Sequence, residues 1–234
     1  MAVALHNLPK PDYHKLYREM EKWLTEKVAI DPEYQVAMDA FHYAHNVHTS
    51  GIKRNGEKTT ALRKDGLTPE FQHQLEICHF ITTLVPSLAR PAQTLATGFL
   101  HDVPEDYLVE KTELLARFGE EVVHSVYLLN KYDEAGNEKD ADVHYQNIAA
   151  DVIAAFVKGV DCLHNQSTMQ GVFTLAKMFS YVQRCEKHIL PMLKSARKRF
   201  PSQREAYENL KFNLRVQCQM SIFALNAAGF SPAT

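Results

Sequence analysis

Along most of the chain, apolar residues recur every three or four positions with polar residues between them, the period of an amphipathic helix. Residues 12–29 place Tyr13, Tyr17, Met20, Leu24 and Val28 on one stripe, widened by Leu16 and Trp23, and Asp31-Pro32 ends it. Residues 32–47 repeat the pattern with Tyr34, Ala37, Phe41 and Ala44. The period fails over 49–69, a polar loop holding Gly51, Gly56 and Gly66. That loop carries Lys53, Arg54, Lys58, Arg63 and Lys64 against only Glu57 and Asp65. A helix over 69–85 is predicted next, with Thr68 as its cap and Pro69 at its first position. A helix over 91–103 ends in a His-Asp doublet, because Pro104 disfavours helical geometry in the residue before it. Further helices are predicted over 112–118, 120–129, 142–163, 168–199 and 202–227, with a charged loop at 133–142. Pro191 is expected to kink or break the helix that contains it.

These elements add up to an all-α fold of nine or ten helices. A length of 234 residues suits one substantial core. The expectation is a single domain over 1–234, with its core at about 35–200 and the terminal helices packed on it. Hydrophobic content of 45% with 23% charged residues is ordinary for a globular protein and argues against disorder. A net charge of −2 lacks the basic footprint of a nucleic-acid binder. No apolar run approaches the ~18 residues of a membrane span, and the first residues are too short and too polar in their sequel for a signal peptide. Cys78, Cys162, Cys185 and Cys218 lie far apart, without a C-x-x-C pair. Reduced thiols and a cytoplasmic location are expected. The oligomeric state is left open.

The densest chemistry is at His101-Asp102, followed at once by Val103-Pro104-Glu105-Asp106. The preceding run, residues 95–100, is apolar enough to be buried, so these polar groups sit at the edge of a core. Burying that much negative charge is costly unless a cation compensates it. The doublet therefore reads as half of a metal site with proton-transfer groups alongside. Other segments offer ligands of the same type: His73 in the third helix, and Asp161 with His164 and Asn165 at the end of an apolar run. Spacing alone does not pick among twelve histidines; His45 and His79 compete with His73. His42, His45 and His48 fall at i, i+3 and i+6, which could suggest a second metal, but exposed helix polarity is the expectation.

The order His … His-Asp … Asp resembles that of the HD metal-dependent phosphohydrolases. The wording of two blocks is closer to the hydrolase domain of the RelA/SpoT-homologue family, which includes small alarmone hydrolases. One block is His101-Asp102-Val103-Pro104-Glu105-Asp106; the other is Lys158-Gly159-Val160-Asp161-Cys162-Leu163-His164-Asn165. Arg63-Lys64-Asp65-Gly66 resembles the family's Arg-Lys-x-Gly segment ahead of its first metal histidine, and residues 118–123 resemble the stretch after the doublet. The likeness covers about 35–200. Departures are Cys162 where the family has Arg or Lys, Gln74 in place of the proline of its His-Pro dipeptide, and a longer loop in which Arg54 rivals Arg63.

The resemblance implies a manganese-dependent enzyme of the stringent response that removes the 3′-pyrophosphate from an alarmone such as (p)ppGpp or (p)ppApp. It implies a metal held by His73, His101, Asp102 and Asp161. Glu105 and Asp106 would orient water and accept its proton. Arg63 and Lys64 would hold base and phosphates, and Asn165 the ribose or the metal site. Cys162 implies a positive charge missing near the phosphates. The rival readings are an HD hydrolase of a nucleoside triphosphate, a cyclic nucleotide or NADPH, and a non-catalytic nucleotide-binding regulator.

Overall fold

The computed structural model describes residues 11–63, 65–133 and 136–231. These hold eleven α-helical segments and no named strand: α1 Tyr13–Ile30, α2 Gln35–Ser50, α3 Gln72–Thr82, α4 Pro91–Leu100, α5 Val103–Asp106, α6 Lys111–Leu129, α7 Ala141–Ile148, α8 Val152–Thr168, α9 Leu175–Arg184, α10 Leu190–Arg199 and α11 Arg204–Ala227. All but the single turn α5 are substantial, so the all-α expectation holds.

The axis of the molecule is α4. All its residues from Ala92 to Leu100 are buried, the polar Gln93, Thr94 and Thr97 included. It packs on α2, α3, α6 and α8. Gly98 lets α3 approach closely: a Cβ there would lie 2.9 Å from Cys78 Sγ and 3.1 Å from Ile81 Cδ1. Phe71 and Phe99, each two residues before a site histidine, pack with Phe41 of α2 at centroid separations of 5.4 to 6.3 Å. Each fully buried ring stabilises the fold by about 1.5–3 kcal/mol. The same cluster fixes where the chain enters α3 and leaves α4.

Several predicted boundaries shift, for local reasons. The helix expected at 69–85 begins at Gln72, because Thr68 instead donates to Asp65 Oδ2 (2.5 Å) and Pro69 forms a bridge with Leu62. The stretch 142–163 is two helices. Asp151 breaks it by accepting from the Ile153 and Ala154 amides (3.0 and 2.7 Å), and α8 then runs on to Thr168. The stretch 168–199 is α9, a π-turn at Cys185–Ile189 and α10, with Pro191 at the start of α10. The wider turn accommodates the missing proline N–H without a chain break. Pro104 does not end helical structure but sits in the first turn of α5. Gly119, at φ +75°, separates two halves of α6, as the pattern suggested; a side chain would be strained there.

Candidate metal centre and nucleotide cavity

Three helices deliver the cluster. His73 lies in the first turn of α3, His101-Asp102 follows α4, and Asp161 stands midway along α8. The ligating atoms of His73, His101 and Asp161 all lie within 4.8 Å of one another, and all three residues are buried. His73 Nε2 is 3.4 Å from Asp161 Oδ1 and 3.7 Å from Asp102 Oδ2. His101 Nε2 is 3.1 Å from Asp102 Oδ2 and 3.9 Å from Asp161 Oδ1. All four residues expected as ligands therefore meet. His79 turns away, to the Leu16 carbonyl (3.3 Å), and His45 packs between Tyr17 and Phe71.

The donor set fits a divalent cation. His101 Nδ1–H donates to the Gly98 carbonyl (2.8 Å), which aims Nε2 into the cluster. That atom is buried with no hydrogen-bond partner, facing two carboxylates. Burial opposes charge on His101, but Asp102, Asp161 and the Gly98 bond outweigh it and push its pKa up to about 9. The pocket thus calls for positive charge at this point. His73 goes the other way: burial pushes it down to about 4, against the pull of Asp161. A neutral imidazole is the metal-binding form.

Both imidazoles are oriented from behind. Glu76, one turn after His73, accepts from His164 Nε2–H at 2.6 Å, and His164 Nδ1 accepts from His73 Nδ1–H at 2.9 Å. This chain fixes the tautomer that frees His73 Nε2. Asp161 is held from its other side: Asn165 Nδ2 donates to Oδ1 (2.5 Å) and Lys158 Nζ to Oδ2 (3.2 Å). Burial opposes its charge, yet Lys158, His73 and His101 keep the carboxyl well below the usual range. Gln74 Nε2 donates to Asp102 Oδ2 at 3.3 Å. Glu76 had no place in the sequence reading, and His164, Lys158 and Gln74 were named there without these positioning roles. Spacing was the signal for Glu76, since 73 and 76 share a helix face, and 158, 161, 164 and 165 share another within the second motif block.

The cluster opens on a cavity of about 1200 Å³. Glu105 and Asp106 line it from α5. Glu105 pairs with Lys131 at 2.9 Å. Burial, with Asp102 and then Glu105 nearby, pushes Asp106 up to about 6. Arg63 also lines the cavity, whereas Arg54 is exposed and engages through its backbone, donating to the Asp106 carbonyl (3.0 Å). Lys64 lies outside the described residues. Asn165 lines the cavity but spends its amide on Asp161.

Cys162 is turned into the core, where Gln166 Nε2 lies 3.6 Å from its sulfur. The positive charge expected to be missing there comes from elsewhere on the wall, from Lys158, Arg184 and Lys187.

The histidine series on α2 divides. His42 is exposed, but His48 is buried at the cavity wall, contrary to the solvent-facing expectation. Tyr107 OH donates to Glu70 Oε2 (2.9 Å) and accepts from His48 Nδ1–H (3.2 Å), while Lys53 Nζ pairs with Glu70 Oε1 (2.9 Å). This network ties the basic loop to the turn carrying Asp106. Burial pushes His48 down to about 4, and its Nε2 has no partner.

No family model matches the chain. Among curated proteins it is similar to a GTP pyrophosphokinase of Myxococcus xanthus, 28% identical over 149 residues, which is 59% of this chain and 18% of that protein. It is also similar to a probable guanosine-3′,5′-bis(diphosphate) 3′-pyrophosphohydrolase of Synechocystis, 25% identical over 183 residues, 73% of this chain and 22% of that one. The chain spans about a fifth of the length of these relatives. Among solved structures, a metazoan orthologue of SpoT described as hydrolysing ppGpp matches with a TM-score of 0.53 and 19% identity. That match covers 79% of this chain and 94% of the other. The chain is thus similar in sequence to a GTP pyrophosphokinase and to a probable guanosine-3′,5′-bis(diphosphate) 3′-pyrophosphohydrolase, and it shares the all-helical fold of the metazoan SpoT orthologue.

Proposed function

We propose that the protein, as one HD-type domain, hydrolyses the 3′-pyrophosphate of an alarmone nucleotide, (p)ppGpp or (p)ppApp. The observation that carries this reading is the buried cluster of His73, His101 and Asp161 with the half-buried Asp102 against it, His101 Nε2 unpartnered, beside a carboxyl whose pKa is raised to about 6 in a cavity with basic walls. His73, His101, Asp102 and Asp161 hold a divalent metal, manganese being the choice that mixed nitrogen and oxygen ligands suit. When bound, that ion supplies Lewis acidity at the reacting phosphorus and makes nearby water more acidic.

The protein's own groups do the rest. Asp106 accepts the proton of the attacking water, and its raised pKa brings it closer to the operating pH. Glu105, anchored by Lys131, orients that water. The new bond joins water oxygen to the phosphorus next to the ribose 3′-oxygen. The bond to that oxygen breaks, the 3′-oxygen takes up a proton, and pyrophosphate departs from a nucleoside 5′-di- or triphosphate with a free 3′-hydroxyl. Arg63 on one wall, with Lys158 and Arg184 on the other, binds phosphates and base, and Lys64 is assigned to the same task from the sequence alone. Asn165 and Lys158 keep Asp161 in place. Four buried free cysteines fit a reducing compartment such as the cytoplasm, and no helix among the described residues is long and apolar enough to cross a membrane.

The test is a panel of ppGpp, pppGpp, ppApp, GTP, cyclic nucleotides and NADPH with manganese, reading pyrophosphate against phosphate and triphosphate. Pyrophosphate released only from 3′-pyrophosphorylated nucleotides is expected. Release from another substrate class alone, or nucleotide-induced stabilisation without turnover, overturns the assignment.

A further inference from the structure

Helix α11 buries Tyr207, Leu210, Leu214, Cys218 and Leu225 and packs on α8, α9 and α10. A surface helix of this kind ordinarily turns a polar face to water. This one carries a second apolar stripe there: Phe212 is 68% exposed, Val216 43%, Met220 56% and Phe223 70%. At about 100° per residue, spacings of four, four and three keep the four side chains within an arc of roughly 80°. Charge is scarce around them, since Arg215 is the one charged residue between positions 212 and 227. Depletion of charge around aromatic residues is the compositional mark of an interface core.

We propose that this stripe is the interface of a homodimer, in which two copies of α11 pack antiparallel about a two-fold axis at the level of residues 217–218. The stripe is self-complementary in that register. Phe212 falls opposite the partner's Phe223 and Asn209 opposite the partner's Asn226, while Val216 and Met220 come within one residue of each other across the axis. Arg215 meets an apolar position rather than its own copy. An isologous interface demands this matching of one patch to itself. The four side chains expose roughly 500 Å² in all, taking ~150–250 Å² for a whole large side chain. Stable interfaces bury about 800 Å² per partner, and the uncharged flank of Asn209, Asn213, Gln219 and Asn226 supplies the difference. The inference is independent of the proposed activity.

Sedimentation velocity on the full chain tests it. A dimer of twice 26.7 kDa is expected for the wild type. Phe212→Glu with Phe223→Glu sets acid against acid and should sediment as a folded monomer. Phe212→Lys with Phe223→Glu sets unlike charges together only in the antiparallel register, and should return the dimer. Circular dichroism checks folding; if the double acid does not fold, Met220→Lys decides in its place, monomer supporting and dimer contradicting. A monomeric wild type, a dimer that survives the double acid, or a folded Lys/Glu variant that stays monomeric overturns the proposal.

Discussion

His73 and His101 are prepared for a cation in different ways, one by a carboxylate-imidazole chain and the other by a backbone carbonyl. Removing the first should be selective. Glu76→Gln or His164→Ala is expected to weaken manganese binding about 10–100-fold, read by calorimetry, with little change in helicity. Asp106 carries a different consequence. Its folded pKa of about 6 lies above the ordinary aspartate value of 3.8, so the native state favours the protonated form. Stability is greatest below the unfolded value and declines as pH rises through about 6. Asp106→Asn should therefore abolish turnover yet stabilise the metal-free protein at pH 8, by on the order of 1–2 kcal/mol after allowing for solvent screening. That advantage should vanish toward pH 4 in urea titrations. The doublet, Asp106 and Asp161 were legible because they stand in dense local blocks. The Glu76–His164–His73 chain was not, because its members come from positions 88 and 91 residues apart. His48 was misplaced for the same reason: the partners that bury it, Tyr107 and Phe71, come from other elements.

At the scale of elements, the proposed metal site requires α3 and α4 to lie close enough for two imidazoles to share a cation. Gly98 sets that approach, with Cys78 Sγ in the way of any larger side chain. Gly98→Val should cost about 1–3 kcal/mol through overpacking and should weaken manganese binding as well, by parting His73 from His101. Unchanged affinity with lowered stability would show that the spacing is set elsewhere. Helix type and order could be read from the apolar period, but not the breaks at Asp151 and Cys185. The period runs on across both, and what interrupts it is side-chain capping in one place and a change of hydrogen-bond register in the other. A proline signals a break without saying whether the helix stops, kinks or widens.

Across the whole molecule, charge is distributed rather than abundant. A chain of net charge −2 gathers Lys53, Arg63, Lys131, Lys158, Arg184 and Lys187 around one cavity. The sequence showed the 53–64 segment of this set; the opposite wall comes from α8, α9 and the π-turn, whose basic residues look like solvated helix surface until folded. Arg184, over the Tyr181 ring at 4.2 Å, is expected to act on binding. Arg184→Ala should raise KM several-fold with kcat nearly unchanged, more so at low ionic strength. The most direct measurement is anomalous diffraction at the manganese edge from crystals soaked in manganese. A peak within coordination distance of His73 Nε2, His101 Nε2, Asp102 and Asp161 is the expected result; a cluster that stays empty, or a peak bound by other residues, contradicts it.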